Sequence, residues 1–252
     1  MGLLALPNEI KARGESTSFK RSFRTVVYMN SATPTPSASD HRATADRLLD
    51  AAEQLFADQG VAATSLRQIT TAASANLASV GYHFGSKDGL LREVLGRRIL
   101  PVNVIRLRLL DELETRSAPP SIEEILDAFL RPIFEQPENV RTNFTRLMSR
   151  LHHSPDPAAM SYLQEIIGPI ATRTLGALKR ALPGVPVERI FLRAHFMIGA
   201  MLNALSAWDP HHCVVDMAPR NESGDQLLAE LVQFSAAGIR QLGEIETLAP
   251  KR

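Results

Sequence analysis

The sequence predicts an all-α protein, with an N-terminal bundle of three short helices followed by a larger helical domain. Three observations carry this prediction. Apolar residues recur at intervals of three and four from Ala45 almost to the end of the chain. No stretch alternates apolar and polar residues as a half-buried strand would, and no internal repeat is present. Between residues 42 and 95 helix stops and caps follow one another closely, which marks short helices with tight connections.

Composition sets the outer bounds. The chain has 252 residues, of which 44% are hydrophobic and 22% charged, ample for a substantial globular core. A formal net charge of +1 says nothing about partners, so only local charge patterns are informative. One Cys excludes an intrachain disulfide, and nothing points to an oxidising compartment. No apolar run approaches the roughly 20 residues needed to span a bilayer, so a cytoplasmic protein with no membrane partner is expected.

Residues 1–41 read as a disorder-like extension. A basic patch (Lys20, Arg21, Arg24) precedes the Pro/Ser/Thr-rich run SATPTPSASD, and no signal-peptide pattern is present. Met29, just before that run, is one candidate for the translation start. The other reading makes the patch an arm that touches DNA backbone or minor groove. The chain then divides into an expected first domain at 42–102 and a second at 103–252.

In the first domain an amphipathic helix carries Ala45, Leu48, Leu49, Ala52, Leu55 and Phe56 and stops at Gly60. Thr64 is the expected N-cap of a short helix with Leu66 and Ile69 turned inward. The run Ala73-Ser74-Ala75 breaks that helix, and Asn76 caps another that ends near Phe84. Three short helices with two tight connections form a helix-turn-helix at 65–84, whose last helix fits a DNA major groove. Residues 59–87 contain no Asp or Glu but include Arg67, His83 and Lys87. A surface that meets phosphates is weakened by every carboxylate it carries. A neutral core piece would show the same gap, so charge alone does not decide.

Gly60, Thr64, Ile69, Tyr82-His83-Phe84, Ser86-Lys87 and Leu90-Leu91 occur in an order and spacing that resemble the DNA-binding domain of the TetR family of bacterial transcriptional regulators. The form NLASVxYHFGSK is similar to one subgroup of that family. Two positions depart from the pattern. Ser74 stands where the turn usually has Gly, and Gly81 stands where a side chain often faces DNA, which removes a base contact there.

The resemblance implies a role for each residue of the head. Thr64 or Ser65, with the backbone N–H groups of that helix start, should hold a phosphate. Tyr82, His83 and Lys87 should grip the DNA backbone and fix register. Asn76, Leu77, Ala78 and Ser79 are candidates for base edges, although Asn76 can instead cap its own helix. Arg67 can reach phosphate or a base. Ile69, Val80 and Phe84 are core by spacing.

Downstream, Ser86 is expected to cap a long connecting helix through Leu90, Leu91, Val94, Leu95 and Ile99 toward Leu113, with Pro101 as a kink and Arg97 and Arg98 on a solvated face. Ser121 and Glu124 form a capping box for a helix with Ile122, Ile125, Leu126, Phe129, Leu130 and Ile133 on its apolar side. Pro137 starts a helix through Val140, Phe144, Leu147, Met148 and Leu151. A helix over about 158–182 contains Gly168-Pro169, where it can bend. The helix over about 186–208 is apolar nearly all round and must be covered on all sides. A polar loop precedes a last helix carrying Leu227, Leu228, Leu231, Val232, Phe234, Ile239 and Leu242.

Two such helices at the end offer more apolar surface than one small domain readily buries. They either close the monomer's own core or form a homodimer interface. The resemblance implies the dimer, with two recognition helices about one DNA turn apart on a palindromic operator. It also implies control by a small molecule in a cavity of the second domain. Phe144, Met148, His152, Tyr162, Arg173, His195, Phe196 and Trp208 are the candidates to line it, and each alone also reads as core. A Met/Phe-rich lining suits an apolar effector, and some relatives in the resembling subgroup sense fatty acyl compounds.

His152-His153 and His211-His212-Cys213 with Asp216 have metal-like composition, but their spacing matches no structural zinc pattern. No orienting partner makes Cys213 a catalytic thiol. The expectation is therefore a double-stranded-DNA-binding regulator, without cofactor, metal or catalytic site, that represses palindromic operators until a small ligand releases it. The same residues also fit an architectural DNA binder without ligand control, or an activator on the same fold.

Overall fold

The computed structural model describes residues 38–206 and 223–241, with side chains from Arg42 to Leu205 and from Ser223 to Gln241. Expectations about the basic arm, Met29, Trp208, His211-His212-Cys213, Asp216 and Leu242 lie outside the described residues. Among the described residues the chain forms nine α-helices and no strand.

Helix α1 (Ala38–Gln59) starts four residues before the expected edge of the fold. It buries Leu48, Ala52 and Phe56 completely. Gly60 ends it at φ +86°, donating its N–H to the Phe56 carbonyl at 3.0 Å. Helix α2 (Leu66–Ala72) is capped by Ser65, one residue later than expected. The reason is local chemistry. Ser65 has Gln68 three residues on, and the two exchange side-chain and backbone hydrogen bonds. Thr64 would have had Arg67 there, a side chain with no acceptor. Thr64 is instead fully buried and donates its hydroxyl to the Gly60 carbonyl at 2.7 Å.

The turn into α3 (Leu77–Phe84) passes through Ser74 at φ +48°, the left-handed region that favours glycine. Arg47 steadies it, donating from Nε to the Ala73 carbonyl at 3.1 Å. Helix α4 (Lys87–Glu114) begins at Ser86, whose Oγ accepts from the Gly89 N–H at 3.0 Å. A Cβ on Gly89 would lie 2.0 Å from the Phe84 carbonyl oxygen, so only glycine lets α3 end this close to α4. Helix α4 continues unbroken past Pro101, whose ring is exposed to solvent. The same helix approaches α7 closely at Gly96, where a Cβ would meet the Tyr162 hydroxyl at 2.6 Å.

The remaining helices are α5 (Ile122–Phe134), opened by the expected Ser121/Glu124 box; α6 (Glu138–His153), with Pro137 at the N-cap rather than in the first turn; and α7 (Pro157–Ala181), capped by Asp156 and continuous through Gly168-Pro169. Helix α8 (Val187–Ser206) and helix α9 (Gly224–Arg240), with a Ser223/Gln226 box, complete the described chain.

Two cores result. The first joins α1, α2, α3 and the start of α4 with Leu147 and Leu151 of α6 and Ala159 and Leu163 of α7. The second packs Ile125, Leu126 and Leu130 of α5 against Ile170 and Leu178 of α7, Ile190 of α8 and Ala236 of α9. Met148 and Ile167 are packed against both. The described residues do not cover helix α8 on all sides: Phe191 is 59% and Phe196 54% exposed, and Phe234 on α9 is 70% exposed.

Arg97 and Arg98 do not form a solvated face. Glu53, buried in α1, accepts from Arg97 Nη2 at 2.5 Å and from Arg98 Nη2 at 2.8 Å, while Arg97 also meets Asp50 at 2.7 Å. Burial works against the Arg97 charge, but the bonds and field of Glu53 and Asp50 outweigh it and hold its pKa above the ordinary value. The cluster clamps α1 onto α4.

Candidate nucleic-acid interface and regulatory cavity

The short helices place the expected DNA-facing residues on the outside of the head. On α3, Leu77, Ala78, Gly81 and Tyr82 are exposed, Ser79 and His83 are half-buried, and Val80 is buried against the head core. Arg67 is exposed on α2, and Lys87 is half-buried at the first turn of α4. Neither makes an ion pair with a described residue, which leaves both cations available to an anion. The Tyr82 and His83 rings meet edge-on with centroids 4.9 Å apart.

Two candidates are changed by their hydrogen bonds. Thr64 is buried, with its hydroxyl engaged inside the head, so that side chain cannot present itself to phosphate and Ser65 is the exposed member of the pair. The Asn76 Oδ1 accepts from the Ala78 N–H at 3.0 Å, which is the capping role.

Behind the head lies an apolar cavity of about 160 Å³. Helix α4 contributes Ile99, Val102 and Arg106, α5 contributes Phe129 and Ile133, and α6 contributes Phe144, Thr145 and Met148. Ile167 and the α8 residues Ile198, Met201, Leu202 and Leu205 close it. Of the residues expected to line a cavity, Phe144 and Met148 do so. His195 lines a second space of about 130 Å³ between α5, α7 and α8.

The others lie elsewhere for identifiable reasons. Arg173 pairs with Asp111 and Glu114 on the surface and, with Arg180, holds the Glu114 carboxyl below its ordinary pKa. Tyr162 lies under the Arg92 guanidinium, 4.3 Å from ring centroid to cation. His152 is exposed and tilts against the His195 ring at 5.3 Å, and Phe196 faces solvent. Among the described residues no group of three or more His, Cys, Asp or Glu side chains is placed to hold a metal ion.

Other contributors carry weaker signals in the sequence. Arg106 is buried at the cavity with no carboxylate partner among the described residues. It shares a stripe with Val102 and Leu110, so a cation at core-facing spacing was the available signal. Glu53 sits beside Leu49 and Phe56 in the same way. Arg150, Arg146 and Asn143 of α6 contact Ala57, Asp58 and Gln54 of α1, and no local pattern announces such distant partners.

Residues 48–94 match the family described as bacterial regulatory proteins, tetR family, and residues 127–238 match the tetracyclin repressor-like C-terminal domain. No curated protein sequence matches the chain. Among solved structures, the fold is similar to the fatty acid degradation regulator FadR from Bacillus halodurans, at 13% identity and TM-score 0.54, covering 78% of this chain and 96% of that one. It is also similar to NalD, the secondary repressor of the MexAB-OprM multidrug efflux pump in Pseudomonas aeruginosa, at 22% identity and TM-score 0.54, covering 79% of this chain and 98% of that one. With a head of three helices presenting α3 outward, and both family domains matched in order along the sequence, the chain belongs to the TetR family and is a DNA-binding transcriptional regulator.

Proposed function

We propose that this regulator is a homodimeric repressor of palindromic operators, released when a small molecule fills the cavity behind α6. The observation that carries the reading is the double-sided α6. One side bears Phe144, Thr145 and Met148 on the cavity; the other bears Asn143, Arg146 and Arg150 on α1 of the head. A ligand that displaces the first set must move or strain the second, because packed side chains transmit displacement rather than absorb it.

In the proposed division, 42–102 is the DNA head and 103–252 the regulatory and dimerisation part. Ser65, Arg67, Tyr82, His83 and Lys87 meet the DNA backbone, while Leu77, Ala78 and Ser79 face base edges. Such small and apolar side chains read mainly thymine methyl groups, so the direct code is thin and DNA shape contributes to selection. The dimer interface is the exposed apolar face of α8 and α9, where Phe191, Phe196 and Phe234 would otherwise stay in water. On this reading the protein works in the cytoplasm beside its DNA and catalyses no reaction.

The test is a binding selection on random duplex DNA with purified protein at near-physiological salt. A palindromic motif with half-sites about one helical turn apart supports the reading. Binding without any enriched motif, lost as salt rises, would reduce the protein to a phosphate-gripping architectural binder.

A further inference from the structure

Arg106 and Glu53 are the buried charged residues among those described, and Arg106 has no counterion among the described residues. Its side chain is 4% exposed and forms part of the cavity wall. Nε donates to the Phe129 carbonyl at 2.7 Å and Nη1 to Asn103 Oδ1 at 3.1 Å. The guanidinium carbon stands 4.0 Å over the centre of the Phe129 ring. Asn103 is itself fixed, because its Nδ2 donates to the Ile166 carbonyl at 2.7 Å, which turns Oδ1 toward Arg106. The guanidinium is thus held from two sides by neutral groups, and Nη2 makes no hydrogen bond to any described residue. Burial pushes its pKa down to about 9, so it remains cationic at neutral pH.

A buried cation without a partner is unfavourable, and cross-linking two helices needs only a neutral donor. A guanidinium oriented in advance against an apolar space gains when an anion arrives, since a planar fork matches a carboxylate. Among the described residues no other charged side chain lines the cavity, so one negative charge is matched and a dianion such as a phosphate monoester is not. At about 160 Å³ the space is close to the ~150 Å³ cavity size known to hold a benzene ring.

We infer that the cavity takes a small amphipathic monocarboxylate, with its carboxylate on Arg106 and its hydrocarbon part, one aromatic ring or a short chain, against Ile133, Phe144, Met148 and Met201. This deepens the effector reading above and rests on it.

The experiment titrates the full chain by calorimetry with benzoate and hexanoate, and with their uncharged counterparts benzamide and hexanamide. The carboxylates should bind about tenfold or more tightly than the amides, the difference expected for a charge-assisted pair away from water. Arg106→Met should erase that preference while leaving the helical circular dichroism intact, and Met148→Trp, which fills the cavity, should abolish binding of both kinds. Amides that bind as well as the carboxylates would overturn the inference and leave the cavity as an effector site. Carboxylate binding that survives Met148→Trp, or no binding by any of the four, would overturn both.

Discussion

Arg150 donates from Nε to the backbone carbonyl of Ala57 at 2.7 Å, closing the C-terminal end of α1 from a helix 93 residues further along the chain. Its Nη2 reaches the Asp58 carbonyl as well. The last carbonyls of a helix have no partner within that helix, and a cation there also meets the negative end of its dipole. The contact therefore serves two ends: it finishes the head's first helix and fastens the head to α6. Replacing Arg150 with Met should lower stability by about 1 kcal/mol. Operator affinity without ligand should stay within a few-fold, while the loss of affinity caused by an effector should shrink. Urea unfolding with parallel DNA titrations measures both, and an unchanged effector response would remove Arg150 from the coupling route.

Glu53 is a more severe case. Changing it to Gln leaves Arg97 and Arg98 half-buried without their shared carboxylate, and should lower stability by about 2–4 kcal/mol. The exposed Asp50, which among the described residues pairs with Arg97 alone, should cost less than about 1 kcal/mol as Asn. Urea midpoints with unchanged slopes are the readout.

Asn76→Ala should cost about 1 kcal/mol of stability through loss of the cap on α3, and should leave base preference unaltered. A relaxed preference at one base pair in the selected motif would instead assign Asn76 to direct reading.

Lys87→Ala should weaken binding to every sequence alike and flatten the dependence of log affinity on log salt by about one unit. A changed operator preference would show that Lys87 meets a base.

Phe196→Asp combined with Phe234→Asp should give a folded monomer in sedimentation, because both side chains are exposed in the single chain and neither belongs to its core. Loss of helical circular dichroism would show that these residues close the monomer instead.

Helix boundaries were legible because caps are local chemistry. Ser86, Ser121 and Asn76 act on N–H groups two or three residues away, and the sequence shows both partners. Thr64 misled because it resembles a cap in isolation; the deciding residue was Gln68, placed for Ser65. The core stripe of α5 and the turn at Ser74 were equally readable. The cavity was legible only in part. Phe144 and Met148 lie on an apolar stripe that must face inward, but the destinations of long polar side chains depend on helices brought together from far apart. Arg173, read as a lining residue, finds Asp111 and Glu114 across α4. Arg97 and Arg98, read as solvated, find Glu53 across α1. Arg106 is the reverse case, a cation whose spacing marked it as internal while its residue type suggested the surface.

Helix α4 runs unbroken past the exposed Pro101, so one helical rod joins the cavity wall to the head. Its 28 residues span about 42 Å, of which about 29 Å separate Arg106 from Lys87. Pivoting such a rod by roughly 5° at its Arg106 end sweeps its other end through about 2.5 Å. On the proposed function, a lever of that length would turn a displacement of one side-chain radius at the cavity into a mismatch between α3 and the DNA groove, without unfolding a single turn.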